Sequence, residues 1–285
     1  MIFEHEIPAG SRLYFGESAK AKREIERIGS ELLEKEGFEE IATPLFSYHQ
    51  HQSIRDNKEL IRLSDPHNRE VTLRADSTID VVRLVTKRLG RSTQQKKWFY
   101  IQPVYRYPTQ EMNQIGAEWL DGKLADVLDV TMSLFKALDV HPVLQISNIQ
   151  IPVLIAFEFG IPLEWFASTQ MEKLLGTQYP WLGELARVQH REQLDAVMKK
   201  VPEVLRVELE KMKELMDACH CGEQCVLAPL YYAKMRYYDG LFFQCFKNNT
   251  PLASGGHFNN DDISAAGFAL YTDALIEERI KGNGR

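Results

Sequence analysis

The 285-residue chain has no long apolar run, which argues against a membrane-spanning helix of the usual kind. Its longest apolar stretch, residues 149–161, is only about half the length of a typical span and is interrupted by Gln150, Pro152, Glu158 and Gly160. Residues 1–6 also lack the basic flank and apolar core of a signal peptide. We therefore expect a cytoplasmic protein that is not associated with a membrane.

An excess of positive charge is missing as well. The formal net charge is -6, so the chain as a whole has no general attraction for a phosphate backbone, and tRNA binding is disfavoured. Its hydrophobic fraction of 44% and charged fraction of 26% are typical of a folded globular protein rather than a disordered one. Strand and helix patterns do not alternate regularly, which argues against a doubly wound parallel sheet.

Cysteine is scarce, and three of the four cysteines lie within residues 219–225. A metal site built there would need His220 or Cys245 as its fourth ligand. The spacing does not contain two Cys-x-x-Cys pairs, so the sequence favours free thiols in a reducing compartment and predicts no metal, although the cluster leaves the metal alternative open.

The remaining pattern predicts an α+β core with a helical insertion. An apolar stripe of helical period indicates a helix over residues 18–35, ended by Gly37. Residues 38–46 are predicted as a strand whose Pro44 belongs at an edge or interface. Helix formers and charged stretches dominate residues 150–224, predicted as an inserted helical subdomain, whereas residues 1–149 and 225–285 form the core. A final helix is predicted over residues 266–280.

Residues 98–106 and 114–118 predict two strands joined by a turn, which would present polar side chains to one space. Gln114 and Glu118 are four apart, so on a strand they face the same side. Arg106 ends the first strand, where its planar guanidinium could bind a carboxylate or a phosphate. Elsewhere, Asp76 and Thr78 offer a carboxylate and a hydroxyl that suit an ammonium group.

This hairpin is similar to motif 2 of the class II aminoacyl-tRNA synthetases, and specifically of histidyl-tRNA synthetase. Residues 73–78 resemble that family's Leu-Arg-Pro-Glu-Gly-Thr, and Tyr237-Tyr238 resembles the tyrosine pair of its Arg-Gly-Leu-Asp-Tyr-Tyr signature. The resemblance implies an antiparallel sheet flanked by helices. It also implies a histidine-binding site in which Asp76, Thr78 and Gln114 hold the amino group, while Glu118 and Tyr238 recognise the imidazole. Taken singly, Asp76 could be a helix cap and Tyr238 an ordinary strand residue.

The chain departs from the synthetase pattern where that pattern serves catalysis. Ala233 and Arg236 replace the arginine and aspartate of the tyrosine signature, and Ala274 replaces the motif 3 arginine that grips ATP. The turn after Arg106 lacks the glutamate and the extra arginine that contact ATP and the tRNA end, and Phe258 stands in place of a hydroxyl. The sequence also ends soon after motif 3, with no anticodon-binding domain expected.

A retained histidine pocket without an ATP site resembles the regulatory subunits of ATP phosphoribosyltransferase, which are catalytically inactive paralogues of histidyl-tRNA synthetase. That resemblance implies a short-form catalytic phosphoribosyltransferase subunit as partner, and a homodimer, formed through residues 18–46, within a hetero-octamer. It further implies histidine as effector, no tRNA and no cofactor.

Two other functions stay open at this point. A stand-alone enzyme that adenylates an amino acid is supported by Arg106 and opposed by Ala274. In the third interpretation, the chain is a scaffold whose pocket residues serve only folding.

Overall fold

The computed structural model describes residues 6–54, 56–219, 224–232, 238–260 and 263–283. Within these residues, no helix is both long enough and apolar enough to cross a membrane. The helices are α1 Gly16–Lys35, α2 Thr78–Leu84, α3 Leu124–Ala137, α4 Gln150–Phe159, α5 Leu163–Ala167, α6 Met171–Leu175, α7 Pro180–Leu185, α8 Arg191–Met198, α9 Glu203–Ala218 and α10 Thr272–Asn283. The strands are β1 Glu39–Glu40, β2 Phe46–Ser47, β3 Arg62–Ser64, β4 Glu70–Leu73, β5 Lys97–Arg106, β6 Gln110–Leu120, β7 Val143–Asn148, β8 Cys225–Leu227, β9 Tyr238–Lys247, β10 Thr250–Asn260 and β11 Ile263–Tyr271.

Eight of these strands form the main sheet, in the order β1-β5-β6-β11-β10-β9-β7-β8. The five inner pairings, from β5 to β7, are antiparallel, and only the two edge pairings, β1 with β5 and β7 with β8, are parallel. The predicted antiparallel sheet flanked by helices is therefore confirmed.

Helix α1 packs one face against this sheet. Ile25, Gly29 and Leu33 follow one another at intervals of four and are all buried. A side chain at Gly29 would meet Ile115 of β6, since an added Cβ would lie 2.9 Å from the Ile115 Cδ1 atom. The helix ends as the sequence predicts, because Gly37 adopts a left-handed φ of 83° just beyond it.

The predicted single strand over residues 38–46 is wrong, because the chain there crosses from one sheet to another. Strand β1 pairs with β5 in the main sheet, whereas β2 pairs with β4 in a second sheet of three strands, β2-β4-β3. Pro44 lies between them and has no N–H to give to a ladder. The guanidinium of Arg74 donates to the carbonyls of Thr43 and Pro44 at 2.9 and 3.3 Å, and these bonds fix the segment between β1 and β2.

Helix α2 follows the small sheet and continues as a π-helical turn, Val85–Leu89. Its apolar residues pack in two directions. Ile79 and Val82 belong to a buried cluster with Phe258, while Val81 and Val85 belong to another with Tyr100. The helix is thus fixed across the face of the main sheet, with its first residue, Thr78, next to β6.

Residues 150–218 contain helices α4–α9, as the composition indicates. Their buried side chains, including Leu182 and Leu209, belong to the same hydrophobic cluster as Phe99 and Phe243 of the sheet. The separation of residues 150–224 from the core as a subdomain stays a prediction.

The predicted final helix began too early. Residues 263–271 form strand β11 between β6 and β10, and α10 begins only at Thr272. The alanines and leucine of this segment favour a helix locally, but pairing on both edges in the centre of the sheet overrides that propensity.

Candidate histidine-binding site

The strand register places a polar group of side chains on one face of the sheet. Gln114 of β6 lies opposite Tyr271 of β11, and Glu118 lies opposite Gly267. Side chains on one face of a strand recur at every second residue, so Gln114 and Glu118, four apart, share a face as the sequence predicts.

Glu118 is the most deeply buried carboxyl group of this face, with 1% of its surface exposed. The hydroxyl of Thr78 donates to its Oε1 atom at 2.6 Å, which ties the start of α2 to β6. Burial is the largest influence on its pKa, which rises from 4.5 to about 8; the Thr78 hydrogen bond opposes the rise and the charge of Asp76 adds to it. At neutral pH the Glu118 carboxyl group therefore holds a proton.

Asp76 lies just before α2 and is held there through its backbone. The side chain of Gln50 accepts hydrogen bonds from the backbone N–H groups of Ala75 and Asp76 at 2.9 and 2.7 Å, and its own amide donates to the Asp76 carbonyl at 2.8 Å. The Asp76 carboxylate also accepts from the Ile79 N–H at 3.5 Å, so the predicted cap role and the predicted binding role do not exclude each other. Gln50 was missed by the sequence analysis because its partners are 25 or more residues away.

Tyr100 is a second residue that sequence reasoning missed. It lies on β5 opposite Gly116 and is buried. Burial, and then the charges of Glu118 and Asp76, raise the pKa of its phenol well above the usual value, so the hydroxyl stays protonated. Alternation along residues 98–102 was the available signal, because Tyr100 shares a strand face with Gln102.

These side chains border a cavity of about 420 Å³. Four of the five predicted histidine-binding residues line it, namely Asp76, Thr78, Gln114 and Tyr238. Glu118 lies behind Thr78 and is joined to the cavity through that hydrogen bond. The structure thus brings the predicted set together, while the assignment of histidine as their ligand stays a prediction.

Glycines keep this part of the sheet open. An added Cβ at Gly267 would lie 2.0 Å from the Glu118 Oε2 atom, and one at Gly256 would lie 2.5 Å from the Tyr238 ring. Any larger residue would displace these two side chains, so the glycines set the space in which Glu118 and Tyr238 are placed.

Arg106 lines the same cavity at the end of β5. Its Nη1 lies 3.4 Å from a carboxylate oxygen of Glu59, and its Nε donates to the Ala75 carbonyl at 3.5 Å. These contacts are long. Burial raises the pKa of the neighbouring Tyr271, whereas the hydrogen bond with Ser254 and then the charge of Arg106 oppose that rise. The predicted anion-binding role of Arg106 stays a prediction.

The other end of the cavity is acidic. Asp273, Ala274 and Glu277 of α10 line it, together with Arg12. Arg12 is paired with Glu277 at 3.2 Å, and Asp273 accepts hydrogen bonds from the backbone and side chain of Asn113 at 2.9 and 3.0 Å. Ala274 therefore stands in an environment with more negative than positive side chains, which opposes the binding of a triphosphate.

A second cavity, of about 610 Å³, adjoins the first and shares Arg106, Gln244, Ser254 and Tyr271 with it. Helices α5, α6 and α7 contribute Phe166, Leu174 and Leu185 to its wall. The helical segment thus covers the sheet beside the candidate site, a long-range placement that its composition did not indicate.

The cysteine cluster gives no metal centre among the residues that the structure describes. Cys225 and Cys245 are buried free thiols whose pKa values rise to about 11 and about 12 because of burial, so neither is a ready thiolate ligand. The expectation of a free thiol is wrong for Cys219, which takes part in a disulfide. His220, Ala233 and Arg236 lie outside the described residues, as does Tyr237.

Comparison with known proteins identifies the class of the chain. The Histidyl-tRNA synthetase family model matches residues 14–275. A crystal structure described as an ATP phosphoribosyltransferase regulatory subunit/histidyl-tRNA synthetase from Bacillus halodurans superposes with a TM-score of 0.85 at 21% identity, over 97% of this chain and 84% of that one. The family model and the fold thus place the chain in the histidyl-tRNA synthetase class.

Two sequence relatives narrow that class. The ATP phosphoribosyltransferase regulatory subunit of Wolinella succinogenes is 47% identical over 99% of this chain and 99% of its own length. That of Helicobacter hepaticus is 40% identical over 97% of this chain and 99% of its own length. The chain belongs to the family of ATP phosphoribosyltransferase regulatory subunits.

Proposed function

We propose that this chain is the non-catalytic regulatory subunit of ATP phosphoribosyltransferase in histidine biosynthesis, and that its cavity binds free histidine as the feedback effector. One observation carries the proposal: a single cavity combines the polar set around Glu118 with Ala274 and an acidic far end. The near end has groups for an amino acid. At the far end the one cation among the described lining residues, Arg12, is paired with Glu277, and Ala274 has no charge to offer the phosphates of ATP.

The near end offers complementary partners for both ends of a histidine molecule. Thr78 uses its hydrogen on Glu118, so its oxygen lone pairs, together with the Asp76 carboxylate, are acceptors for an ammonium group. A protonated Glu118 and an imidazole can share one proton between them, and the Tyr238 hydroxyl provides a second polar contact for the ring. Arg106 lines the same cavity and is available for the α-carboxylate.

The partner is a short-form catalytic phosphoribosyltransferase subunit, in a hetero-octamer that contains dimers of this chain in the cytoplasm. The names of the two close relatives support a role in that complex. Feedback then requires that histidine bind the active and inhibited states of the complex with different affinities, because a ligand with equal affinity for both leaves their populations unchanged.

The test is ATP phosphoribosyltransferase activity of a short catalytic subunit, with and without this chain, across a histidine titration. We expect activation by the chain and reversal by histidine. For Glu118→Ala, the histidine concentration that reverses activation should be at least tenfold higher. Activation in the absence of histidine should be retained. Activation that histidine does not reverse in the wild type would instead support the scaffold interpretation.

Arg106 is the observation that favours a second function, an amino-acid-adenylating enzyme, because it lines the cavity and an arginine side chain is able to bind phosphate. Pyrophosphate exchange dependent on histidine separates the two functions. We expect none, since Ala274, Asp273 and Glu277 provide no positive charge for ATP. Exchange above background in the purified chain would establish the enzyme.

A further inference from the structure

A third pocket, beside α2, is lined by a cluster of positively charged side chains. It has a volume of about 500 Å³ and is lined by Arg83, Lys87 and Arg88, together with His49 and the buried carboxyl group of Asp80. The whole chain carries a net charge of -6, so this concentration of cations is a local feature.

Two of the cations have no carboxylate partner among the residues that the structure describes. Lys87 and Arg88 are exposed and form no ion pair there. Arg83 is held in place at one edge, since it donates to the Gln52 side chain at 3.1 Å and lies 3.4 Å from the His49 ring. The pKa of His49 is lowered by burial and then by the charges of Arg83, His51 and Lys87, which indicates that the cations act on one space.

The backbone adds an independent indication. Lys87 and Arg88 lie on the π-helical turn Val85–Leu89, which follows α2 directly. Turns of this kind are rare and are frequent at functional sites. Here the turn places the two cations at the pocket that also contains Arg83, one α-helical turn before it.

The pocket is connected to the histidine site through buried hydrogen bonds. Asp80 accepts from the Ser47 hydroxyl and from the Gln50 amide, both at 2.7 Å. The same Gln50 amide donates to the Asp76 carbonyl at 2.8 Å, and its oxygen accepts from the Asp76 N–H at 2.7 Å. A change at Asp80 therefore reaches the backbone of Asp76 through one side chain.

We propose that this pocket binds an oxyanion of the diphosphate class and that its occupancy strengthens histidine binding at the neighbouring site. Three cations match the charge of a diphosphate, and arginine beside lysine combines bidentate geometry with a point charge. A bound anion acts on the Asp80 carboxylate, and Asp80 shares the Gln50 amide with the Asp76 carbonyl, so occupancy of the pocket reaches the ammonium side of the histidine site. The linkage rests on the proposed histidine site, whereas the anion pocket does not.

The experiment uses inorganic pyrophosphate as the probe, in titration calorimetry on the full chain without divalent metal. We expect binding to the wild type and at least a tenfold loss of affinity in the double variant Lys87→Gln/Arg88→Gln. The matched control, Lys136→Gln/Lys199→Gln, removes two exposed lysine charges elsewhere and should bind as the wild type does. Absence of binding, or equal binding by the double variant, overturns the pocket.

Histidine titrations with and without saturating pyrophosphate then measure the linkage. We expect histidine affinity to rise about fivefold in the wild type, at the lower end of typical coupling between sites. Asp80→Asn should still bind pyrophosphate but lose the rise in histidine affinity, because asparagine lacks the charge on which the anion acts. Asparagine can keep both hydrogen bonds of Asp80 if the Ser47 hydroxyl becomes the acceptor. An unchanged histidine affinity in the wild type overturns the linkage, and failure of histidine to bind without pyrophosphate is a failure of the proposed function alone.

Adenosine monophosphate and inorganic phosphate, titrated in parallel, separate the two sources of the anion. Competition by adenosine monophosphate at concentrations where phosphate does not compete would assign the pocket to a nucleotide. Competition by phosphate alone would assign it to a free inorganic anion.

Discussion

Replacement of Glu118 by glutamine should stabilise the folded chain, and the gain should grow with pH. The carboxyl group is almost fully buried and its pKa is raised from 4.5 to about 8, with burial as the largest cause. The Glu118→Gln side chain has nearly the same shape, can still accept the Thr78 hydrogen bond, and never carries a charge.

The magnitude follows from proton linkage. Between pH 4.5 and 8 the folded chain keeps a proton on Glu118 that the unfolded chain has released. The contribution of Glu118 to stability therefore falls as pH rises through this window, by at most about 1.4 kcal/mol per pH unit. Across the whole window the wild type loses roughly 5 kcal/mol relative to Glu118→Gln, with little further change above pH 8.

Urea unfolding of both proteins, followed by circular dichroism from pH 5 to 9, measures this difference. Every other titrating group is common to the two chains, so the difference in unfolding free energy reports Glu118. An exposed residue, Glu158, gives the matched control, and Glu158→Gln should follow the wild type at all pH values. Parallel pH profiles for wild type and Glu118→Gln would refute the burial argument.

Three further predictions concern the site. Histidine binding by the wild type should weaken above pH 8 by up to about tenfold per unit, because a shared proton must then be taken up from solvent, and calorimetry should show less of this dependence in Glu118→Gln. Gly267→Ala should abolish histidine binding and destabilise the chain by about 1–3 kcal/mol, since the new Cβ would overlap Glu118. Thermal unfolding measures the change in stability. In the control Gly183→Ala, the new Cβ would meet only Leu175 at 3.6 Å, so this variant should be neutral or stabilising. Tyr238→Phe should weaken histidine binding by about 1 kcal/mol, because one hydrogen bond to the ligand is removed. Calorimetry measures the change, and wild-type affinity in this variant would contradict the imidazole assignment.

The sequence predicted the parts of this structure that depend on local pattern. The hairpin of β5 and β6, and the shared face of Gln114 and Glu118, follow from period-two alternation. The apolar stripe and Gly37 likewise define α1. In these segments the residues that fix the conformation are close to one another in the chain.

The parts that escaped prediction depend on distant partners. Gln50 is tied to Asp80, thirty residues away, and nothing near either residue indicates that pair. Residues 266–271 carry helix-forming side chains, yet strands β6 and β10 on either side make them a strand. A resemblance to a family supplied the five predicted histidine-binding residues, but only the fold shows that Thr78 and Glu118 share a hydrogen bond.

The energetics of Glu118 separate a binding role from a structural one. A residue retained only to support folding would favour folding, whereas we expect this buried carboxyl group, with its raised pKa, to make the chain less stable at neutral pH than glutamine would. Its proton, however, suits a ligand whose ring nitrogen can share it, and the neighbouring Asp76 carboxylate suits the ammonium group of the same ligand. If Glu118→Gln both stabilises the chain and weakens histidine binding, the cost in stability is explained by the ligand. If it stabilises the chain and leaves histidine binding unchanged, Glu118 has neither role, and the imidazole must contact a different part of the cavity.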